Sequence, residues 1–379
     1  AMGTPVCIGR SVGAGDKKQA AKIIGNTVTL FMVGSVVLAA ALVGLVDPIV
    51  RLISTPEEAV AGTTAYLTIC FIGIPCITAY NVLASIFRGM GDSRSPMYFI
   101  AAACVVNIGL DFFFMGVLRL GPAGAALGTT LSQAVSVLLA LCVILKRKSI
   151  RLSKSDFCPR KATMKDILSI GLPVAAQDGF IQVSFMLITI MANQRGLTDA
   201  AAVGIVEKII SFLFLVPSSM LSTVSALGAQ NIGAGKYDRV DDILRYAIAI
   251  GVGFGAVMAL LMQFIAPSMV RPFTSDEAVV KAGAAYIRSY IFDCLFAGIQ
   301  FSFSGYFCAW GRSGLSFLHN TLSILLVRVP GAWLACRFFP QTLVPMGLAP
   351  ACGSLFSSIV CILLYRWMKR QNKPTGDKD

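Results

Sequence analysis

The chain has 379 residues, of which 56% are hydrophobic and only 13% are charged. A water-soluble globular protein is roughly 45–50% apolar and about 25% charged, so this composition excludes a soluble fold and favours a protein embedded in lipid. The net charge of +13 would suit a nucleic-acid ligand in a soluble protein. Here the basic residues lie almost entirely between apolar blocks, so we interpret them as topology signals and expect no nucleic-acid partner.

Ten apolar blocks are each long enough to cross a bilayer as a helix, which needs about 20 residues. Residues 1–12 are typical of the end of a further helix. Pro75, Pro173, Pro217 and Pro330 lie inside blocks and predict kinks, which neighbouring helices tolerate in a membrane bundle. The blocks lie near residues 22–46, 60–86, 96–117, 123–145, 166–193, 200–229, 242–266, 282–309, 315–338 and 344–367.

The basic residues predict the orientation of the chain. Consecutive spans alternate sides, and most of the 32 Lys and Arg residues then fall on the side that holds residues 146–165 and the C-terminal tail. Because basic loops stay in the cytoplasm, that side is predicted to be cytoplasmic. We therefore expect a multi-pass protein of the plasma (inner) membrane with its C-terminus in the cytoplasm.

An internal repeat runs through the chain with an offset of 220 positions. Its clearest match joins the Gly-Ala-Gly cluster at 13–15 to the one at 233–235, and both clusters predict helix-ending turns. A fixed offset that holds through four spans is unlike a chance match. Further pairs are Arg51 with Arg271, Tyr66 with Tyr286, Phe87 with Phe307, Gly91 with Gly311 and, at an offset of 223, Pro122 with Pro345 and Gly124 with Gly347.

The repeat predicts the fold. Each complete repeat has six spans, an even number, so the two repeats share one orientation and are related by an axis along the membrane normal. We expect an all-α polytopic membrane protein, a V-shaped bundle of two lobes with a cargo cleft between them. The first repeat is expected to lack its first helix and part of its second. The predicted domains are an N-lobe at 1–145, a basic cytoplasmic linker at 146–165, a C-lobe at 166–367 and a cytoplasmic tail at 368–379.

Polar residues inside the spans are the candidates for chemistry, because a charge at the bilayer centre costs roughly 2.5–3.5 kcal/mol. In the N-lobe, Asn107 and Asp111 are four residues apart and share one face of a helix. Asn81 lies in the preceding span and Thr129 in the following one. A carboxylate with amide and hydroxyl oxygens suits Na⁺ or a proton. The alternative is that Asp111 only hydrogen-bonds neighbouring helices.

The C-lobe has more charged residues within its spans: Asp178, Glu207, Lys208, Asp293 and Arg328. Glu207 and Lys208 are adjacent in sequence and are expected to point in different directions on a helix. The ionisable residues either line a substrate cavity or form internal ion pairs, for instance Arg328 with Asp178 or Asp293. The single histidine, His319, has no partners in the sequence for a metal site.

Five short motifs are shared with a known transporter family: Gly13-Ala14-Gly15-Asp16; Arg88-Gly89-Met90-Gly91-Asp92-Ser93; Asn107 to Asp111; Gly121-Pro122-Ala123-Gly124-Ala125-Ala126; and Gln230-Asn231-Ile232-Gly233-Ala234-Gly235. Together they resemble a bacterial member of the multidrug and toxic compound extrusion (MATE) family over essentially the whole chain. The resemblance implies twelve helices in two lobes and export of organic cations in exchange for Na⁺ or H⁺.

The resemblance also implies site residues. Asn81, Asn107, Asp111 and Thr129 match the family's N-lobe cation site, where Na⁺ binds at Asp111 in a Na⁺-coupled protein. The first-helix Asp of that site falls in the segment expected to be missing, and Ala84 stands where a second Asn is expected. A family Glu on the seventh helix corresponds here to Ile181, beside Asp178 and Gln182. We therefore take Asp178, Gln182, Asp293 and Arg328 as candidates for the substrate cavity.

The main prediction is a cation-coupled exporter of small organic cations that acts as a monomer in the bilayer, with no catalytic residue and no cofactor beyond the coupling ion. A lipid-linked oligosaccharide flippase of the same superfamily is the alternative, although it needs a strongly cationic cavity. A channel also remains open. A membrane-embedded enzyme would need a set of nucleophile, base or metal ligands, which this sequence does not offer.

Overall fold

The apolar blocks form helices because backbone groups have no water to bind in lipid and must be satisfied within the segment. A computed structural model describes residues 2–52, 56–146 and 152–371, and over these ranges the secondary structure is helical. It contains ten helical segments long and apolar enough to cross a membrane, which confirms the ten predicted spans. The predicted tail and linker fall partly at 372–379 and 147–151, which lie outside the described residues.

The chain divides into two units, Ala1–Leu168 and Ser169–Asp379. The first unit contains α1 (Gly3–Gly13), α2 (Lys17–Gly44), α3 (Val46–Leu52), α4 (Glu57–Gly89), α5 (Arg94–Asp111), a π-helical segment (Phe112–Val117), α6 (Gly121–Lys146) and a 3₁₀ turn (Lys154–Phe157). Helix α7 (Lys161–Asn193) crosses the boundary between the units. The second unit continues with α8 (Leu197–Leu213), α9 (Leu215–Gly233), α10 (Tyr237–Val270), a 3₁₀ turn (Arg271–Phe273), α11 (Glu277–Tyr290), α12 (Phe292–Ala309), α13 (Ser313–Ser323), a π-helical segment (Ile324–Arg328), α14 (Val329–Phe338) and α15 (Val344–Gln371).

Equivalent turns in the two units have the same backbone conformation. Gly15 and Gly235, which end the two Gly-Ala-Gly clusters, have φ angles of 75° and 72°. Gly91 and Gly311, a second pair 220 positions apart, have φ angles of 88° and 71°. Glycine adopts this left-handed conformation without the penalty that a Cβ brings, and it commonly ends a helix in this way. The clusters are therefore helix-ending turns, as the sequence predicts.

Proline explains some of the helix interruptions. Pro217 has no N–H, so it releases a carbonyl of the preceding turn, and the span breaks between α8 and α9. The Leu213 carbonyl at this break accepts a weak hydrogen bond from the Cys294 thiol at 3.9 Å. Pro330 lies two residues after the end of the π-helical segment at 324–328. Pro75 and Pro173, in contrast, lie inside the continuous helices α4 and α7.

The residues between α6 and α7 pack against α2 in the first unit. Asn26, which is fully buried, donates its amide to the Asp156 carbonyl at 3.1 Å and accepts the Arg160 N–H at 2.7 Å. Thr29 donates its hydroxyl to the Phe157 carbonyl at 2.8 Å. The described part of the linker is thus tied to the end of α2.

One span lies at the centre of the second unit. In the most apolar stretch of Glu277–Ala309, which comprises α11 and α12, 72% of the residues are buried, against 6% for Arg94–Val117 in the first unit. Gly298 makes this possible because its backbone lies against that of Gly251 on α10, where a Cβ on either residue would come within 3.0 Å of the other. Close packing of this kind is typical of glycine at membrane helix interfaces.

Candidate functional site

The first candidate site lies at the junction of α5 and its π-helical segment. Asn107 and Asp111 are one helical turn apart and half-buried, and the Asn107 amide donates to Oδ1 of Asp111 at 3.4 Å. The π-helical segment starts at the next residue, Phe112. Short π-helical segments within α-helices occur frequently at functional sites. The structure therefore brings together the two residues that the sequence placed on one helix face.

Helix α6 approaches the Asp111 carboxylate at a glycine. A Cβ at Gly128 would collide with Oδ1 of Asp111 and would lie 3.5 Å from Nδ2 of Asn107. The carboxylate is thus held between the Asn107 amide and the backbone of α6. Sequence reasoning missed Gly128, although its position beside Thr129 was a signal that this turn of α6 faces the site.

The other two predicted residues are not bonded to Asp111 in this structure. Asn81 is exposed within its unit and donates its amide to the Ile77 carbonyl of its own helix at 2.9 Å. Thr129 is also exposed within its unit, and its backbone carbonyl accepts the Ser132 hydroxyl at 2.8 Å. The four predicted residues offer a carboxylate, amide oxygens and a hydroxyl as ligands, and these suit a hard monovalent cation or a proton.

The second candidate site surrounds Arg328 at the end of the π-helical segment of the second unit. Its side chain is 7% exposed, and Nη2 donates to the Tyr290 hydroxyl at 2.8 Å. The same nitrogen lies 3.8 Å from Oδ2 of Asp293, which is completely buried. The guanidinium carbon lies 4.9 Å from the centre of the Phe185 ring, in cation–π range. Arg328 therefore pairs with Asp293, one of the two partners that the sequence left open.

This pair is incompletely satisfied. Among the described residues, neither oxygen of Asp293 nor Nε of Arg328 has a hydrogen-bond partner, and the Tyr286 hydroxyl nearby has none either. A buried ion pair offsets the cost of its desolvation only when its remaining polar atoms are bonded. Buried groups left in this state call for an explanation such as a ligand, an ion or a change of conformation. The site is therefore a candidate for function as well as for structure.

Glu207 is a further carboxylate within the membrane spans of this unit. It is half-buried on α8, and both of its oxygens lie 3.1 Å from the Thr189 hydroxyl of α7, which donates to them. Lys208 is exposed, so the adjacent pair points in different directions as expected. Sequence reasoning missed Tyr290, Phe185 and Thr189. The spacing of Tyr286, Tyr290 and Asp293 was an available signal, because these residues follow one another at nearly helical intervals.

Asp178 and Gln182 are both exposed on α7 within the second unit. The neighbouring Gln177 is buried instead, and its side-chain oxygen accepts the Ser316 hydroxyl at 2.6 Å. His319 is also buried, with Nε2 2.9 Å from the Ser304 hydroxyl and Nδ1 2.6 Å from the Ser357 hydroxyl. These contacts join α12, α13 and α15, which is a structural role.

Comparisons with known proteins agree on one family. The family model described as MatE matches residues 1–113 and 173–334. A Bacillus subtilis protein named "Probable multidrug resistance protein YpnP" is 30% identical over 367 residues, which cover 96% of this chain and 81% of the relative. A Thermotoga maritima protein named "Probable multidrug resistance protein NorM" is 24% identical over 377 residues, covering 97% of this chain and 81% of the relative.

Solved structures share the fold. A crystal structure of a MATE protein in complex with MaL6 superposes with a TM-score of 0.92 at 22% identity, covering 98% of this chain and 84% of that one. A transporter of the MOP superfamily from Pyrococcus furiosus superposes with a TM-score of 0.91 at 22% identity, covering 97% of this chain and 82% of that one. The latter is described as having a binding pocket of reversed polarity that suggests a different function. Likeness of fold therefore leaves the cargo open.

Proposed function

Because this chain belongs to the MatE family of membrane transporters, which are not enzymes, we propose that it is a secondary antiporter that exports organic cations in exchange for Na⁺ or H⁺. The names of the relatives, multidrug resistance proteins in two bacteria, support drug-like organic cargo. The proposed setting is the plasma (inner) membrane, with the C-terminus in the cytoplasm and the protein acting as a monomer.

One observation carries the proposal: a half-buried carboxylate, Asp111, sits in a membrane span with a single bonded partner, Asn107, and no ion pair among the described residues. A charge held in this way is costly in a bilayer, and binding of Na⁺ or H⁺ neutralises it. Asp111 would alternate between an occupied and a free state, and occupancy would favour the conformation that releases the drug. The membrane potential would add about 2.3 kcal/mol per 100 mV for an inward-moving monovalent cation.

Dye uptake into everted vesicles that contain the full-length protein, in which export carries dye into the lumen, tests the proposal. Na⁺ and pH gradients are imposed separately, and Asp111→Asn is compared with Asp238→Asn, which changes an exposed carboxylate in the first turn of α10. We expect export under one of the two gradients, its loss in Asp111→Asn and its retention in Asp238→Asn. Equal export by the wild type and Asp111→Asn would refute the role of Asp111. The absence of export under either gradient, with folded protein, would refute drug antiport.

The flippase alternative depends on free positive charge that could bind a lipid-linked pyrophosphate. Arg328 is a buried cation of the second unit, but Asp293 lies 3.8 Å from it and compensates its charge. Lys208 is exposed and points away from Glu207. These placements weigh against a strongly cationic site in this unit, and transport of a lipid-linked sugar by the protein in vesicles would reverse that judgement.

A further inference from the structure

A long cleft runs through the first unit between α2, α4 and α6. Its volume is about 780 Å³, and Leu152 and Phe157 of the linker lie over it. Apart from Gly15, Lys17 and Asp92, the residues that line it are hydrophobic. Pockets for small ligands commonly have volumes of about 300–1,000 Å³ and walls of this kind.

The cleft is elongated and has one polar end. Along α2 it extends from Lys17 to Met32, which at 1.5 Å per residue corresponds to about 22 Å. Along α4 it extends from Met90 to Ala79. The polar residues lie at the end where α2 begins and α4 ends, which is the basic side of the chain. An extended apolar chain with a polar head matches this shape better than a compact molecule does.

The second unit has an aromatic cluster at the equivalent place. The internal repeat pairs Leu83, Ile86 and Met90 of the first unit with Phe303, Tyr306 and Trp310 of the second. At the offset of 223, it pairs Cys142 with Tyr365 and Ile144 with Trp367. The ring centres of Tyr306 lie 5.3 Å from Tyr365 and 6.3 Å from Trp310, and those of Phe303 and Tyr365 are 5.7 Å apart.

A polar cluster adjoins these rings. Asp241 accepts hydrogen bonds from the hydroxyls of Tyr306 at 3.3 Å and Tyr365 at 3.1 Å, and it pairs with Lys369 at 2.6 Å. The counterpart of Asp241 in the first unit is Ala21. At each of these positions the first unit carries the smaller or less polar residue, and four of them, Leu83, Ile86, Met90 and Ile144, line the cleft.

A first helix of the first repeat would not occupy the cleft. Its counterpart in the second unit is α7, where Gln177 contacts Ser316 and Phe180 packs on Phe317, both on α13. Helix α5 is the counterpart of α13 in the repeat. A helix equivalent to α7 would therefore lie against α5 and leave the cleft between α2, α4 and α6 free.

The charged residues at the polar end of the cleft indicate which kind of headgroup would bind there. The Asp92 carboxylate caps α5, where it accepts the N–H of Arg94 at 3.1 Å and both the N–H and the hydroxyl of Ser95 at 3.0 and 2.6 Å. Lys17 is exposed and forms no ion pair with any residue that the structure describes. Its ammonium therefore favours an anionic head above the apolar cleft.

We propose that this cleft holds one acyl chain of an anionic phospholipid from the basic side of the membrane, with the lipid phosphate contacting Lys17. None of the residues proposed to bind the coupling ion lines the cleft, so this proposal does not rest on the proposed antiport. The lipid would do for the first unit what the aromatic cluster does for the second, which is to fill the space between three helices.

Native mass spectrometry of the full-length protein, exchanged into phosphatidylglycerol or phosphatidylcholine and then released into detergent, tests the proposal. The triple variant Ala79→Ile, Met90→Trp, Ile144→Trp fills the cleft with the larger residue types that the second unit has at the equivalent positions. We expect the wild type to retain one phosphatidylglycerol, and the triple variant to retain at least tenfold less. The matched control is Phe112→Trp with Leu138→Trp, which adds two Trp at exposed positions and should retain lipid as the wild type does.

The variant Lys17→Gln tests binding of the lipid headgroup separately from burial of the acyl chain. It should reduce the preference for phosphatidylglycerol over phosphatidylcholine by about fivefold, whereas Lys18→Gln, next to it and outside the cleft lining, should not. Equal retention by the wild type and the triple variant would overturn the proposal, as would a wild type that retains no lipid. If the triple variant does not fold, the single variant Met90→Trp is compared with Leu138→Trp in the same way. Equal lipid retention by these two single variants would also contradict lipid binding in the cleft.

Discussion

Replacing Gly128 with alanine tests whether the Asp111 carboxylate is positioned by the backbone of α6. The added methyl group would collide with Oδ1 of Asp111 and lie 3.3 Å from its Cγ, so either the carboxylate or the helix must move. Overpacking of this kind typically costs about 1–3 kcal/mol. If the carboxylate gives way, the same energy appears as a loss of about 5- to 150-fold in coupling-ion affinity.

The assay is the ion concentration that gives half-maximal dye efflux, measured together with thermal unfolding. Gly109→Ala is the matched control, because it adds the same methyl group on α5 where no atom lies within 4 Å. It should leave efflux unchanged. In an Asp111→Ala background the steric conflict is gone, so Gly128→Ala should there be nearly neutral for stability. Unchanged ion affinity in Gly128→Ala, or equal destabilisation with and without Asp111, would refute the reasoning.

Two further predictions concern stability, and thermal unfolding in detergent measures both. Arg328→Met should destabilise the protein by about 3–5 kcal/mol because it leaves Asp293 buried without its partner. Adding Asp293→Leu should restore most of the lost stability. A double variant less stable than Arg328→Met alone would contradict this. Asn26→Ala should cost about 1–3 kcal/mol because the Asp156 carbonyl and the Arg160 N–H lose their partner. It should also speed trypsin cleavage between α6 and α7, and an unchanged rate would count against a docked linker.

The sequence predicted the number and positions of the spans because a bilayer imposes length and apolarity on each of them. It also predicted the repeat, whose turns carry glycine at the same places, with left-handed backbone at Gly15, Gly91, Gly235 and Gly311. The interruptions were predicted only in part. Pro217 and Pro330 mark real breaks, but the π-helical segment after Asp111 has no proline within it.

The candidate sites show where sequence reasoning ends. Asn107 and Asp111 could be paired because they lie on one helix, where spacing determines contact. The approach of Gly128 to Asp111 depends on how α5 and α6 are aligned, and the spacing of residues within one helix does not predict that alignment. For the same reason the sequence left Asp178 and Asp293 as equal partners for Arg328, and the fold brings only Asp293 into reach.

The burial of the α11–α12 span has a consequence for biogenesis. This span carries Asp293, Gln300, Ser302 and Ser304 at positions with little or no exposure, since protein rather than lipid surrounds it. Such a segment gains less from entering hydrocarbon than its lipid-facing neighbours do, and its buried carboxylate opposes entry. We therefore expect it to be a weak insertion signal at the translocon, one that partitions into the membrane together with α9 and α10 rather than ahead of them.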